Sequence, residues 1–220
     1  MTIAAFVIDC DGTLVATDQL WTLAEQATTE RWGGTWSEAL GATLTGCALL
    51  TSARLIATEV GRPLAYQSIA EHLLSAFRER LDTEPVQAKE GAPELLAALA
   101  ARKIPVAVAS NGRRVDVESA LRGGGLLGTV AAIRCPGGSL RPKPEPDLYL
   151  AACQDLNADP ARSVAIEDAQ PGVLAARGAG LLTLALTTPD GPPLQADNKI
   201  GGLWPLDLDT LESMLARSTE

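Results

Sequence analysis

The sequence predicts an α/β protein whose core is a doubly wound parallel β-sheet and which carries an inserted helical region. From Glu90 onward, short apolar segments alternate with segments of helical pattern, which is typical of a parallel sheet with helices on both faces. Residues 3–8 (IAAFVI) form a continuous apolar run, as expected for a strand buried on both faces. Between these parts, from about Asp18 to Arg80, the pattern is helical and contains no convincing strand.

The helical insert is divided by glycine-containing breaks. These breaks fall at Gly33-Gly34, Gly46 and Gly61, and they predict three or four helices. The first helix shows the i, i+3, i+4 and i+7 spacing of an apolar face. The residues of that face are Leu20, Leu23, Ala24 and Ala27.

The remaining elements follow in alternation after the insert. Pro93 stands near the start of a helix, where proline is tolerated, and the glycines at 123–125 end another helix. The segment 188–205 is rich in Pro, Gly and Asp and predicts a loop, and 208–216 predicts a last short helix. The other helices are expected at 93–101, 113–122, 145–156 and 171–179. The other strands are expected at 104–109, 129–133, 163–166 and 181–186.

The bulk properties limit the partners. The chain has 220 residues, 46% hydrophobic and 20% charged, which suits one globular domain or a core with a modest insert. The formal net charge of −9 repels phosphate backbones and anionic lipid, so we expect neither nucleic acid nor membrane as a partner. A phosphorylated ligand would therefore need positive charge supplied locally. We expect a monomer or a weak dimer.

The cysteines and the N-terminus predict a cytoplasmic protein with reduced thiols. Cys10, Cys47, Cys135 and Cys153 form no CxxC or zinc pattern, and each is interpreted as a small buried residue. The apolar run 3–8 is too short for a signal peptide, and no apolar run approaches the ~18 residues of a membrane span.

The first chemical motif follows the first strand. The side chains of Asp9 and Asp11, two residues apart on extended chain, project to the same side, and Gly12 allows a sharp turn. One carboxylate can attack phosphorus while the other handles the proton. A calcium loop of the EF-hand kind would need an acid and a glutamate where Thr13 and Leu20 stand. A turn with solvated acids stays open as an alternative.

The second motif, Ser110-Asn111-Gly112, follows the strand expected at 104–109. A hydroxyl and free backbone N–H groups at a strand-to-helix turn can hold a phosphate. Asn-Gly is also a common turn pair, so a plain turn is the alternative.

The third motif is Lys143, which stands among three prolines in RPKPEP (141–146). A fixed ammonium group there can neutralise a phosphoryl oxygen or the nucleophile. The alternative is an exposed loop lysine.

The fourth motif, Glu167-Asp168, follows the strand expected at 163–166. Paired acids brought near Asp9 would make an oxygen-ligand site for Mg²⁺. The alternative is that one of the two acids caps the helix at 171–179.

Taken in this order, the four motifs resemble those of the haloacid dehalogenase superfamily of phosphohydrolases. DCDGTLV (9–15) resembles the first family motif, SN (110–111) the second, the lysine of RPKPEPDLY (141–149) the third, and EDAQPGVLAARGAG (167–180) the fourth. The insert resembles the α-helical C1 cap of the subgroup that contains phosphoglycolate phosphatase, β-phosphoglucomutase and many sugar-phosphate phosphatases.

The resemblance implies the catalytic and metal-binding roles. Asp9 would be the nucleophile and a metal ligand. Asp11 would protonate the leaving group, later activate water and offer its backbone carbonyl to Mg²⁺. Glu167 and Asp168 would bind Mg²⁺ directly or through water. Mg²⁺ and Lys143 would cancel the charge that otherwise keeps a carboxylate away from a phosphate dianion.

The resemblance also implies how the substrate is bound. Ser110 and the N–H groups around Asn111 and Gly112 would hold the phosphoryl oxygens, together with Lys143. Gly46, in a loop of the cap, is a further candidate for contact with the substrate.

The cap sequence narrows the chemistry. Mutase relatives carry a histidine early in the cap, where this chain has Gln19-Leu20-Trp21, and a basic residue around the cap-loop glycine. Phosphonate-cleaving relatives need a cap lysine, and residues 16–88 contain none. Dehalogenating relatives lack the second aspartate, which is present here as Asp11. Trp21, Trp32 and Trp36 are expected to pack in the cap core, with a platform for a sugar as the alternative. His72, the single histidine, is expected to be structural or exposed.

The sequence thus predicts a core at 1–15 and 86–220 and a cap at 16–85. The expected function is that of a Mg²⁺-dependent phosphatase that hydrolyses a small phosphorylated metabolite, preferably a sugar phosphate, through a phospho-aspartate. A phosphosugar mutase of the same fold is one alternative. A catalytically idle member of the family that serves as a binding protein is another.

Overall fold

The computed structural model describes residues 2–188 and 193–217. Within these residues, parallel strands form one sheet in the order β3-β2-β1-β4-β5-β6, which confirms the predicted fold class. The strands are β1 Ala5–Ile8, β2 Val106–Ala109, β3 Ala132–Arg134, β4 Ser163–Glu167, β5 Leu182–Leu186 and β6 Asn198–Ile200.

Helices cover both faces of the sheet, and this explains the apolar strands. Phe6 and Ile8 of β1 point to one face, whereas Val7 points to the other, and all three are fully buried. Since neither face meets water, every residue of β1 has to be apolar. In chain order the helices are α1 Asp18–Arg31, α2 Glu38–Leu44, α3 Leu49–Glu59, α4 Tyr66–Thr83, α5 Ala92–Ala101, α6 Arg114–Gly123, α7 Asp147–Asp155, α8 Gln170–Gly178 and α9 Leu208–Arg217.

The two layers of helices differ in composition. The layer with Phe6 and Ile8 contains leucines of α5, α6 and α9. The layer with Val7 is built from α7 and α8 and contains many alanines, so these helices approach the sheet closely. None of the helices in the described parts of the chain is long and apolar enough to cross a membrane.

The insert consists of α1 to α4, with a short 3₁₀ turn at Pro63–Ala65, in agreement with the prediction of three or four helices. The chain leaves the sheet layer and returns to it side by side, since Val15 forms an antiparallel bridge with Ala88. The backbone N–H of Ala16 donates to the carbonyl of Gln87 at 2.9 Å on the same connection. The domain boundaries at 15/16 and 85/86 stay a prediction.

Two predictions at the edges of the sheet are wrong in detail. The strand expected at 129–133 begins only at Ala132, because Leu127–Thr129 forms a 3₁₀ turn. The loop expected at 188–205 contains β6, which is largely exposed and pairs with β5 through the backbone. Backbone pairing without burial leaves no apolar pattern in the sequence, so this strand could not be recognised. Residues 189–192 of that expected loop lie outside the described residues.

Candidate active site

The carboxyl ends of the three central strands bring the predicted residues together. Asp9 follows β1, Ser110 follows β2 and Glu167 ends β4, and these three strands are neighbours in the sheet. From β1 the chain continues to β2 and β3 on one side of the sheet, and from β4 it continues to β5 and β6 on the other side. Open α/β sheets bind their ligands at the point where the strand order reverses in this way, here between β1 and β4. Lys143 reaches the same place from the loop before α7, and all four side chains are buried.

Lys143 lies between two carboxylates. Its Nζ atom is 2.5 Å from Oδ1 of Asp9 and 2.6 Å from Oε1 of Glu167. Burial works against the charged lysine, but the two carboxylates outweigh it and raise the pKa of Lys143. The alternative of an exposed loop lysine is wrong, since the residue is 5% exposed.

Glu167 is held by donors and by a close glycine. The hydroxyl of Tyr149 donates to Oε1 of Glu167, the same oxygen that accepts from Lys143. A Cβ atom on Gly172 would lie 2.0 Å from the Glu167 carboxyl carbon, so this position has room only for glycine. Neither acid of the fourth motif caps a helix, because Ala169 is the N-cap of α8 and makes no side-chain cap bond.

Asp9, Glu167 and Asp168 form a cluster that fits a divalent cation. One ligand oxygen from each carboxylate lies within 4.8 Å of the others. A Cβ atom on Gly12 would lie 2.1 Å from Oδ2 of Asp168, so the glycine leaves the space that this carboxylate occupies. Closely packed carboxylate oxygens are the donor set that Mg²⁺ takes in proteins.

The electrostatics of the cluster indicate a deficit of positive charge. Burial raises the pKa of Asp9 well above its usual value, Lys143 opposes the rise, and the neighbouring carboxylates add to it. Burial and the charge of Glu167 raise the pKa of Asp168 to about 7. One lysine does not balance these acids, and a divalent cation would supply the missing charge.

Asp11 is held by three donors, two from the cap and one from the core. Thr17 Oγ1 donates to Oδ1 of Asp11 at 2.6 Å, and the indole N–H of Trp21 donates to the same oxygen at 3.2 Å. Ser110 Oγ donates to Oδ2 at 3.2 Å. A turn with solvated acids is therefore the wrong interpretation, since Asp11 is fixed and Asp9 is buried.

The second motif lines the same cleft, and its side chains bind different parts of the site. Ser110 Oγ also accepts the N–H of Gly112 at 3.0 Å. The amide of Asn111 is engaged within the protein: Oδ1 accepts the N–H of Lys143 at 2.8 Å, and Nδ2 donates to the Lys143 carbonyl at 3.3 Å. The Asn111 side chain thus holds the lysine loop, while the Ser110 hydroxyl links Asp11 to the Gly112 N–H. The predicted contact of this motif with a phosphate stays a prediction.

Gly46 joins the cap to the core. Its carbonyl accepts a hydrogen bond from Asn111 Nδ2 at 3.0 Å, and its φ of +72° favours glycine. A Cβ atom there would lie 2.5 Å from the Cβ of Ala169 in the core. Gly46 also borders the cleft, so the predicted contact with substrate stays a prediction.

Several residues that the sequence did not predict in the site lie in it or support it. Trp21 packs in the cap core as predicted, stacked on Phe77 with ring centroids 3.8 Å apart, but it also reaches Asp11 and lines the cleft. Its spacing of ten residues from Asp11 gave no signal of contact. Others are Thr17, whose hydroxyl donates to Asp11, and Glu25, which lines the cleft. Tyr149 and Gly172 lie inside the third and fourth motifs, where no local pattern distinguishes them from structural residues.

The predictions for the histidine and the cysteines can be compared directly with the structure. His72 is structural as expected, since its Nδ1 accepts the indole N–H of Trp32 at 3.3 Å. All four cysteines are free, but only Cys10 and Cys153 are fully buried. Cys47 is half-buried and lines the cleft.

The family is established by comparison with known proteins. A family model described as haloacid dehalogenase-like hydrolase matches residues 3–180. Since this match covers most of the chain, the chain belongs to the haloacid dehalogenase-like hydrolase family, and the resemblance drawn from the four motifs is confirmed.

Several curated relatives of the chain are named as phosphatases. It is 33% identical over 142 residues to validoxylamine A 7'-phosphate phosphatase of Streptomyces hygroscopicus subsp. limoneus, covering 58% of this chain and 66% of the relative. It is 32% identical over 197 residues to hexitol phosphatase A of Escherichia coli, covering 86% and 85%. The match to a bifunctional riboflavin kinase/FMN phosphatase of Arabidopsis thaliana, 28% identical, covers 82% of this chain and 47% of that protein. The chain thus spans less than two thirds of the length of the first and the last of these.

Solved structures share the fold. A β-phosphoglucomutase from Clostridium difficile superposes with a TM-score of 0.87, covers 99% of both chains and is 18% identical, which shows the fold alone. A mutant of CbbY from Rhodobacter sphaeroides, in complex with xylulose-(1,5)bisphosphate, has a TM-score of 0.75 at 25% identity and covers 92% of this chain and 95% of its own.

Proposed function

We propose that the chain is a Mg²⁺-dependent phosphatase that hydrolyses a small phosphorylated metabolite, of the sugar or polyol phosphate class, through a phospho-aspartate on Asp9. The observation that carries the proposal is the arrangement around Asp9. This carboxylate is buried at the end of the central strand and is paired with Lys143 at 2.5 Å. A second carboxylate, that of Asp11, lines the same cleft and is held by its own donors, Thr17 and Ser110.

The first step uses the two aspartates in different roles. A carboxylate oxygen of Asp9 attacks phosphorus, and the bond between phosphorus and the ester oxygen breaks. Asp11 gives its proton to the departing oxygen, so the leaving group departs as a neutral alcohol. Lys143 keeps Asp9 in place and cancels part of the negative charge that the two reactants bring together.

The second step restores the enzyme. Asp11, now ionised, removes a proton from water, and the hydroxide attacks phosphorus while the acyl–phosphate bond to Asp9 breaks. Inorganic phosphate leaves, and Asp11 is protonated again. The donors from Thr17 and Trp21 hold Asp11 on the cap side, where both the leaving group and the attacking water have to arrive.

The carboxylates of Asp9, Glu167 and Asp168 would hold Mg²⁺. When bound, the ion supplies positive charge that stabilises the phosphoryl oxygens. Tyr149 and Gly172 support this function, since one donates to Glu167 and the other leaves space for it. Such support fixes ligands in place before the ion binds.

The substrate class rests on the relatives and on the cleft. The names of the relatives refer to a hexitol phosphatase and to the phosphatase of validoxylamine A 7'-phosphate, and the CbbY structure is a complex with a sugar bisphosphate. The cleft of this chain is lined by both apolar and hydroxyl side chains of the cap, which suits a small polyhydroxylated molecule.

The test is phosphate release from a panel of phosphorylated metabolites with Mg²⁺. We expect wild type to release phosphate, Asp9→Asn to abolish the release and EDTA to suppress it. Acid quenching during turnover followed by peptide mass spectrometry should find the phosphoryl group on Asp9. Equal phosphate release by Asp9→Asn and wild type would contradict the assignment of Asp9 as the nucleophile. No phosphate release from any substrate would contradict the proposed phosphatase activity.

The same experiment distinguishes the mutase and the idle binding protein. With a hexose 1-phosphate, a mutase returns the isomeric phosphate and little inorganic phosphate. The cap side chains that meet Asp11 are the hydroxyl of Thr17 and the indole of Trp21, which can donate hydrogen bonds but do not serve as general acids or bases near neutral pH. We therefore expect free phosphate rather than an isomer.

A further inference from the structure

We infer that Glu25 is the specificity-determining residue of a leaving-group subsite in the cap, and that it selects leaving groups which present hydroxyl or ammonium donors over those which carry a carboxylate. This inference rests on the proposed phosphatase function and adds to it the class of alcohol that is released.

Glu25 lies where a leaving group would be. It stands four residues after Trp21 on α1, so the two side chains share one face of the helix, about 6 Å apart along its axis. Trp21 touches Asp11, which protonates the leaving group in the proposed reaction. Both residues line the cleft that contains Asp9 and Lys143. Glu25 therefore faces the part of the substrate that lies beyond the ester oxygen.

Glu25 is largely buried, and its carboxylate, which opens to the cleft, has no partner. The residue is 8% exposed. Within residues 2–188 and 193–217, no side chain or backbone group hydrogen bonds to its carboxylate or pairs with it. Burial, and after it the charge of Glu25, raise the pKa of the Cys47 thiol, which lies on the loop between α2 and α3. A buried carboxyl group without a partner is costly, and it is retained where a ligand completes its hydrogen bonds.

The absence of nearby cations argues for donors on the ligand. The described residues that line the cleft include two basic side chains, Lys143 and Arg113. Lys143 is already engaged by Asp9 and Glu167, and Arg113 is exposed on the core side. Neither is paired with Glu25, and burial is the cause of the raised pKa of Glu25, with no charged group contributing.

The other acids of the cleft strengthen this preference. Asp18 and Asp116 line it as well, and Asp116 is paired with Arg78 at 2.8 Å. A second carboxylate on the substrate would enter a cap wall that already carries Glu25. The described basic residue of the cleft that no acid engages, Arg113, belongs to the core side. Hydroxyl or ammonium groups would instead donate to Glu25 and offset the cost of its desolvation.

The test compares substrates that share one carbon chain. Sorbitol 6-phosphate and 6-phosphogluconate differ only at the terminal carbon, which is an alcohol in the first and a carboxylate in the second. The 1-amino-1-deoxy analogue of sorbitol 6-phosphate separates ammonium from hydroxyl. The kcat/KM value is measured with Mg²⁺ at about pH 9, above the pKa of about 8 that burial gives Glu25, so that most of the Glu25 carboxyl groups are ionised.

We expect wild type to favour sorbitol 6-phosphate over 6-phosphogluconate by roughly 100-fold in kcat/KM, and Glu25→Gln to reduce this ratio by roughly tenfold. The amide keeps the shape and an acceptor but removes the charge. If the amino analogue loses more than sorbitol 6-phosphate on Glu25→Gln, the ligand is an ammonium; equal losses indicate a hydroxyl. The matched control is Glu30→Gln, on the same helix but exposed, which should leave the ratio unchanged.

Failure of the inference and failure of the proposed function give different results. If wild type hydrolyses these esters, Asp9→Asn does not, and Glu25→Gln leaves the ratio unchanged, the subsite is wrong and the phosphatase stands. The same three compounds are also titrated calorimetrically into Asp9→Asn and into Asp9→Asn/Glu25→Gln. If binding shows a preference that depends on Glu25 but wild type turns over none of the compounds, the proposed subsite stands and the proposed phosphatase activity is wrong. No preference in either assay would overturn the subsite.

Discussion

The indole N–H of Trp21 donates to Oδ1 of Asp11 across 3.2 Å, and this contact joins the first helix of the cap to the acid of the core. The ring itself stacks on Phe77 with an interplanar angle of 11°, so its position is fixed by packing within the cap. Asp11 is therefore oriented by the cap as well as by the core. The ability of Asp11 to transfer a proton should therefore depend on the position of the cap relative to the core.

Removal of this donor should slow the reaction without weakening binding. Trp21→Phe keeps an aromatic ring against Phe77 but loses the N–H that orients Asp11. The loss of one hydrogen bond to a charged group predicts a decrease of about tenfold in kcat with KM little changed. The control is Trp32→Phe, which removes an indole donor to His72 elsewhere in the cap. An equal decrease in both variants would contradict the role of Trp21.

A methyl group at Gly46 should prevent the cap from seating. Gly46→Ala places a Cβ 2.5 Å from the Cβ of Ala169, and the loop has to move away from Asn111. We expect kcat/KM to fall by about tenfold or more. Gly33→Ala is the matched control, because Gly33 also has a positive φ, of +86°, but no atom lies within 4 Å of the added Cβ. Both variants carry the backbone strain, so a difference between them isolates the contact with the core.

The hydroxyl of Tyr149 should stabilise both the fold and the metal site. Tyr149→Phe removes a donor from Glu167, which is 1% exposed and then retains only Lys143. The loss of a hydrogen bond to a buried carboxylate predicts a decrease of about 1–3 kcal/mol in the free energy of unfolding. Urea unfolding with and without Mg²⁺ measures it, and calorimetry should show weaker Mg²⁺ binding. Unchanged Mg²⁺ affinity would mean that Tyr149 has only a packing role.

The sequence predicted the parts of the site that depend on local pattern. Asp9 and Glu167 could be placed because each adjoins an apolar run that is typical of a buried strand. The burial of Lys143 could not be predicted, because a lysine between prolines looks the same whether a loop folds inward or outward. The contact of Trp21 with Asp11 depends on the position of the whole cap, which no local spacing encodes. Glu25 gave no signal for the same reason.

The buried carboxyl group of Glu25 should make stability depend on pH in a defined direction. Burial raises the pKa of Glu25 from 4.5 to about 8 in the folded protein. Between these values the unfolded chain releases the proton while the folded chain keeps it, so the contribution of Glu25 to the free energy of unfolding falls as pH rises and is constant above about pH 8. Glu25→Gln should therefore be more stable than wild type by up to a few kcal/mol at pH 8, and the difference should shrink toward pH 5. Urea unfolding of both proteins without metal measures this difference in the free energy of unfolding. The titration of the other acids contributes equally to both proteins and therefore cancels in the difference. Glu30→Gln, at the exposed glutamate of α1, is the matched control. Parallel curves for wild type and Glu25→Gln would contradict the buried, unpartnered state of Glu25.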